Sequence, residues 1–230
     1  MCERSCVTLI TSELPKYLLD IFEDESLFGL SHIDNELAER ESCKCALVTL
    51  LPYPDLEYHY NPSEYFIMLN ELWKKHTEKM NRVKTFLDTH SVKYKTPPAT
   101  PKDDENHFAE FSNKWAAIHA GLGFIGKNDV FVHYKYAQKV RISCLLLDLD
   151  MPVYNSEISS RCGSCDLCVK ACPYKYISGC TWYIDVHRDE LVDYKKCATK
   201  TKVSSDGQGY ACGDCVMACK YPKISSGFEV

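Results

Sequence analysis

Eight of the fourteen cysteines fall at intervals that can hold metal. Four read Cys162-x2-Cys165-x2-Cys168-x3-Cys172, followed by Pro173, and four read Cys197-x14-Cys212-x2-Cys215-x3-Cys219. The first run has the spacing, proline included, that bacterial [4Fe–4S] proteins use. Eight thiolates suffice for two such clusters. The turn after the third cysteine carries the fourth away from the first cubane, so the fourth ligand of a run serves the other cluster. The spacing therefore predicts Cys162, Cys165, Cys168 and Cys219 for one cluster and Cys172, Cys197, Cys212 and Cys215 for the other. Paired clusters move electrons singly, which points to redox chemistry. Zinc also takes paired C-x2-C units, here Cys162/Cys165 with Cys212/Cys215. It needs neither the third cysteine nor the C-P terminus.

The other six cysteines (Cys2, Cys6, Cys43, Cys45, Cys144, Cys180) show no pairing logic and read as small buried or free thiols. The start, Met1-Cys2-Glu3-Arg4-Ser5, lacks a long apolar stretch, so no signal peptide is expected. Thiol-rich chains without export signals suit a reducing cytoplasm, as in an anaerobe. Apolar runs such as Cys144-Leu145-Leu146-Leu147 are too short to span a bilayer. The net charge of −5 leaves no whole-chain footprint for nucleic acid. One basic stretch, Lys195, Lys196, Lys200 and Lys202, reads first as a solvated face. Its sharper reading is a dock for an acidic partner or an RNA backbone.

The elements that must position these thiols divide at a linker near Asp150–Ser156, giving domains 1–152 and 153–230. The first alternates helix and strand: a helix over 13–22, and a buried apolar strand Cys45–Leu51 ended by Pro52. A long helix opens with Asn61 as cap and Pro62 at its first position. Its stripe, from Tyr65 through Met68, Leu72, His76 and Val83 to Leu87, reads as core, with His76 a structural histidine. A further helix covers about 108–120 and stops at Gly121, and 129–134 and 139–149 read as strands. The fold class is α/β or α+β, with a ferredoxin-like domain carrying two [4Fe-4S] clusters appended.

Between that helix and the strand after it, Gly121, Gly123 and Gly126 precede Lys127 and Asn128. Such a loop lets backbone approach a ligand, and Lys127 suits a phosphate or a carboxamide-rich group. The helix precedes the glycines, so this is no dinucleotide fingerprint. The plainer reading is a tight helix-to-strand connection.

In combination, the glycine loop, the stretch Cys144–Pro152 and the split cysteine motifs resemble the epoxyqueuosine reductase family, in the same order from about Cys45 to Cys219. The resemblance implies a nitroreductase-like, cobalamin-binding α/β domain joined to the two-cluster domain. It implies electrons relayed through the clusters to a corrinoid, and reductive deoxygenation of an epoxide on a queuosine-type tRNA nucleoside or a related reduction. A low-potential donor of ferredoxin or flavodoxin type would supply the electrons.

By the same resemblance the 121–128 loop, with Lys127 and Asn128, borders the corrinoid. Where the family carries an aspartate as proton donor, counting back from Gly123 gives His107, with Glu110 at the proline position. Tyr58, His59 and Tyr60 would line the same pocket. The usual Gly-Glu before the leucine stretch is Ser143-Cys144 here. Eleven residues follow Cys219, where family members continue into the helical-repeat domain that holds tRNA. tRNA is thus a partner implied by the resemblance alone, and no membrane is expected. Two other classes fit the residues: a non-catalytic two-cluster electron carrier, and a flavin-dependent reductase on the same α/β core.

Overall fold

The computed structural model describes residues 2–54, 61–97, 109, 111–153, 159–203 and 209–222. His107, Glu110, and Tyr58, His59 and Tyr60 lie outside the described residues. The chain forms a mixed α/β structure of two compact units. One comprises 1–51, 74–122 and 141–157; the other comprises 52–73, 123–140 and 158–230. One boundary thus falls close to the expected linker, while 52–73 and 123–140 group with the cysteine-bearing segment instead of the N-terminal part.

The first unit is organised on a four-stranded sheet in the order β1-β2-β6-β3. Its strands are β1 (Phe28–His32), β2 (Cys45–Pro52), β3 (Tyr94–Lys95) and β6 (Val140–Leu147). β1 runs antiparallel to β2, with Leu30 opposite Leu47, and β3 antiparallel to β6, with Tyr94 opposite Leu147. β2 is buried along most of its length, as a continuous apolar run should be. Around the sheet lie α1 (Cys2–Phe22), α2 (Asn35–Glu41), α3 (Pro62–Thr89) and α4 (Asn113–His119). Leu14, Ile21, Leu47, Leu50, Leu87, Ile118, Leu145 and Leu147 are fully buried and form the core. Within it, the Thr49 hydroxyl lies 2.9 Å from His76 Nε2.

α4 shows why a glycine must follow it. Gly121 takes φ +74°, its N–H donates to Ile118 C=O, and Leu122 N–H donates to Ala117 C=O. These are the two bonds of a Schellman stop, which an L side chain at Gly121 would strain. α4 starts at Asn113, later than its pattern suggests, because the Ser112 hydroxyl caps it by accepting from Trp115 N–H at 3.2 Å.

The second unit holds the first turns of α3, where Asn61 Oδ1 accepts from Ser63 and Glu64 N–H as the sequence predicts. It also holds the hairpin β4 (Gly123–Ile125) with β5 (Phe131–His133), and the pair β7 (Lys202–Val203) with β8 (Gly209–Tyr210). Four short helices carry or flank the cysteines: α5 (Leu167–Ala171), α6 (Arg188–Leu191), α7 (Tyr194–Ala198) and α8 (Asp214–Met217).

Candidate metal centre

Each cysteine sits where a turn or helix end fixes it. Cys165 N–H donates to Cys162 C=O across a turn with Gly163 at φ +52°. Cys168 lies in α5 and is buried; Cys172 caps the end of α5 in an extended conformation, ψ 108°. Pro173 dictates that conformation, since a residue before proline is pushed out of the helical region. Cys172 is thereby turned from the helix that holds Cys168. Cys197 lies in α7, which Asp193 caps; Cys215 lies in α8, which packs against α5; Cys219 follows α8.

The thiols sort into two neighbourhoods. Cys168 has Cys162 and Cys219 as charge neighbours, and Cys219 has Cys162 and Cys165. Cys197 has Cys212 and Cys172, Cys215 has Cys197 and Cys172, and Cys212 has Cys215. The groups touch at Cys168, which has Cys215 as a charge neighbour and sits in the cluster against which Cys172, Cys197 and Cys215 pack. All eight are free thiols. Burial pushes the Cys168 thiol up to about 12 and Cys212 up to about 11, and raises Cys197, Cys215 and Cys219. Left alone they are protonated at neutral pH; a bound metal takes the thiolate and expels the proton. Among the described residues no three His, Cys, Asp or Glu side chains converge as the ligands of a single metal ion do. In a cubane each thiolate holds a different iron, so its ligands need not meet at a point.

Residues 123–140 buttress the cysteines. Asn128 and Gln138 exchange two amide hydrogen bonds, at 2.9 and 2.7 Å, and both are buried. The Asn128 side chain also bonds the Cys215 sulfur, and the Gln138 backbone bonds Cys219. Lys127 is 8% exposed, and its charge acts on Asp166, the neighbour of Cys165. Arg161 covers the Tyr134 ring at 4.6 Å, and Tyr221 meets Phe124 edge-on at 5.0 Å. A Cβ on Gly213 would lie 2.5 Å from the Tyr65 ring, and Tyr65 in turn meets Tyr53, hydroxyl to hydroxyl, at 3.2 Å.

The glycines of the loop are packed closely. Gly123 lies against the Val132 carbonyl and the Phe131 ring, and Gly126 against Gln138 and Asn128. Their missing side chains let the β4–β5 hairpin close on itself. Gln138 escaped the sequence reading because no motif contains it; its role exists only through tertiary contact. His119 escaped too. Buried in the first unit, both of its ring nitrogens lack a hydrogen-bond partner, and its ring lies 3.6 Å from Trp115 and 4.9 Å from His32. Burial, then the His32 charge, pulls His119 down to about 4. An apolar pocket of about 370 Å³ in the same unit, lined by Leu14, Leu18, Phe28, Leu30, Leu47 and Met151 among others, presents no titratable group.

Of the other cysteines, Cys43, Cys45 and Cys144 are buried and Cys180 is exposed, all free; the side chains of Cys2 and Cys6 are outside the described set. Burial raises Cys45 to about 12. Among the described residues no helix is long and apolar enough to cross a membrane.

No family model matches the chain. It is 31% identical over 122 residues to the epoxyqueuosine reductase of Lactococcus garvieae, covering 49% of this chain and 33% of the relative. It is 23% identical over a 260-position alignment to that of Cyclobacterium marinum, covering 97% and 75%. The chain spans 33% and 37% of the first curated relatives it matches. Among solved structures, an epoxyqueuosine reductase with a modified tRNA-Tyr stem loop superposes with TM-score 0.59 at 19% identity, covering 93% of this chain and 65% of the other. A reductive dehalogenase whose structure bears on B12-dependent dehalogenation gives TM-score 0.59 at 15% identity, covering 84% and 29%.

Proposed function

We propose that this chain, a relative of the epoxyqueuosine reductases in sequence and fold, is an oxidoreductase that carries electrons through two [4Fe–4S] clusters to a corrinoid. The observation that carries the reading is the sorting of eight buried or half-buried thiols into two groups of four. That sorting supports the crossed grouping expected from the spacing. The donor set fits iron–sulfur ligation: all cysteine, free of disulfides, and buried or half-buried. Cys162, Cys165, Cys168 and Cys219 would hold one cluster and Cys172, Cys197, Cys212 and Cys215 the other. Bound clusters supply single electrons at potentials reaching about −700 mV, low enough to serve a corrinoid cobalt.

The chain's own residues do the rest. The thiols give up protons to bind iron. Asn128 holds the Cys215 sulfur through its amide, and the backbone N–H of Gln138 holds Cys219.

The corrinoid is supported by the relatives and by the B12-dependent dehalogenase among the fold neighbours. The described residues add less: the Asn128 amide is engaged by Gln138 and Cys215, and the glycines by their own hairpin. The substrate proposed is an epoxide on a tRNA nucleoside, in keeping with the tRNA stem loop held by a fold neighbour. His107, by its place in the sequence, is the proposed proton donor. The nitroreductase-like and ferredoxin-like domain assignments, and a cytoplasmic setting, belong to the same reading.

The test is anaerobic. Cluster-loaded protein is titrated with cob(II)alamin and followed by absorbance and EPR, then assayed on epoxyqueuosine-tRNA. Stoichiometric binding with a changed cobalt signal is expected. Loaded clusters with an unchanged cobalt signal would leave an electron carrier; a bound flavin in the purified protein would indicate the flavin-dependent class.

A further inference from the structure

The basic stretch singled out by its sequence lies over the edge of one cysteine group. Lys200 Nζ stands 4.4 Å above the Tyr174 ring, Tyr174 stacks on Tyr176 at 5.5 Å, and Lys196 Nζ lies 6.0 Å from the Tyr176 ring. The four side chains form one continuous ladder of two cations and two rings. Beneath it, Tyr176 packs with Cys172, Cys197 and Cys215 against the buried cluster of Cys168, Ile177 and Val192, and its N–H donates to Cys172 Sγ at 3.4 Å. Lys175 N–H bonds Cys172 C=O, and Lys200 N–H bonds Cys197 C=O. Lys175, Lys195 and Lys196 are exposed around the ladder, and Tyr174 is 45% exposed.

A solvated lysine face needs no aromatic rings under it, and no cysteine ligands behind the rings. Here cationic and aromatic surface concentrates at Cys172 and Cys197, on a chain whose net charge is −5. We propose that the Lys200–Tyr174–Tyr176–Lys196 ladder, with Lys175 and Lys195, is the docking face for an acidic one-electron carrier protein that reduces the Cys172, Cys197, Cys212 and Cys215 group. This rests on the two-cluster reading above. Positive charge speeds encounter with an acidic partner and orients it, while the flat rings admit close approach to the cluster edge. One electron leaves the reduced flavin or iron–sulfur centre of the carrier and enters the cluster; no bond forms or breaks. RNA fits less well, because Lys200 already covers one face of the Tyr174 ring on which a base would stack. Asp193 pairs with Lys196 at 2.7 Å, so attraction to an acidic carrier rests on Lys175, Lys195 and Lys200.

Cluster-loaded protein is mixed in stopped flow with reduced acidic flavodoxin at several salt concentrations, and separately with the small reductant methyl viologen radical. In Lys195→Glu/Lys200→Glu the flavodoxin rate should fall about tenfold at low salt and lose most of its salt dependence. Lys200→Arg should retain the rate, and Lys75→Glu, at an exposed lysine outside the basic stretch, should change nothing. Viologen reduction should be the same in all variants. An unchanged flavodoxin rate in the double variant, with normal viologen reduction, overturns the docking face. So does a double variant that loses only affinity for tRNA, which would make the face an RNA site. Failure of viologen to reduce any cluster in the wild type strikes the two-cluster reading itself.

Discussion

Asn128 and Gln138 hold one another through two reciprocal amide bonds, and each also reaches a different cysteine group: Asn128 bonds Cys215, and Gln138 bonds Cys219. A fully satisfied buried amide pair is rigid, because either partner alone would leave buried polar atoms without bonds. The pair therefore ties the turn after β4 to cysteines of both groups.

Asn128→Ala should cost about 1–3 kcal/mol by stranding the Gln138 amide. It also removes a donor to Cys215, and donors to cluster sulfur favour the reduced state. One of the two reduction potentials should therefore move to a more negative value in an EPR-monitored titration. Two unchanged potentials would show that the amide does not act on a cluster.

Gly213 has no room for a side chain: an added Cβ meets the Tyr65 ring at 2.5 and 2.7 Å, and Tyr65 is buried. Gly213→Ala should destabilise by about 1–3 kcal/mol through overpacking. It should also displace Cys212 and Cys215 and lower iron content after reconstitution. Adding Tyr65→Leu should restore part of both losses; thermal unfolding and iron assay read the outcome.

Much of this was legible in the sequence. The Asn61-Pro62 helix start, the buried strand from Cys45 and the stop at Gly121 all follow from local rules. Tertiary contact decides the rest. Gln138 meets Cys219 and His119 meets His32, neighbours distant in sequence that no local pattern marks. α1 extends back to Cys2 through Pro15, which removes one helix bond and reads as a helix start. Gly123 serves close packing with β5, which its spacing alone cannot distinguish from a ligand cradle.

His76 gives the protein a pH dependence. Burial, then the charges of Arg141 and Lys79, pulls its pKa from 6.5 to about 3, so it is neutral in the fold. Between those values the unfolded chain binds a proton that the folded chain does not. Stability from this group is complete above about pH 6.5 and is lost as pH falls toward 3, at up to about 1.4 kcal/mol per pH unit. In His76→Gln the urea midpoint should fall less steeply with acid than in wild type. Parallel slopes would contradict the assignment.

His107→Ala should lower turnover on epoxyqueuosine-tRNA by about 10²–10⁴-fold while leaving iron content unchanged. His107→Asp, which restores the acid type of the family, should recover part of the rate. Full activity in the alanine variant removes His107 as proton donor.

Cys219, though it belongs to the second motif, is proposed to complete the cluster of the first. The direct measurement is iron, sulfide and EPR on anaerobically reconstituted wild type, Cys162→Ser, Cys219→Ser and Cys172→Ser. Wild type should hold about eight irons and show two interacting reduced signals. Cys162→Ser and Cys219→Ser should alter the same signal, and Cys172→Ser the other. A protein that binds zinc and no iron, or a Cys219→Ser spectrum that follows Cys172→Ser, would contradict the account.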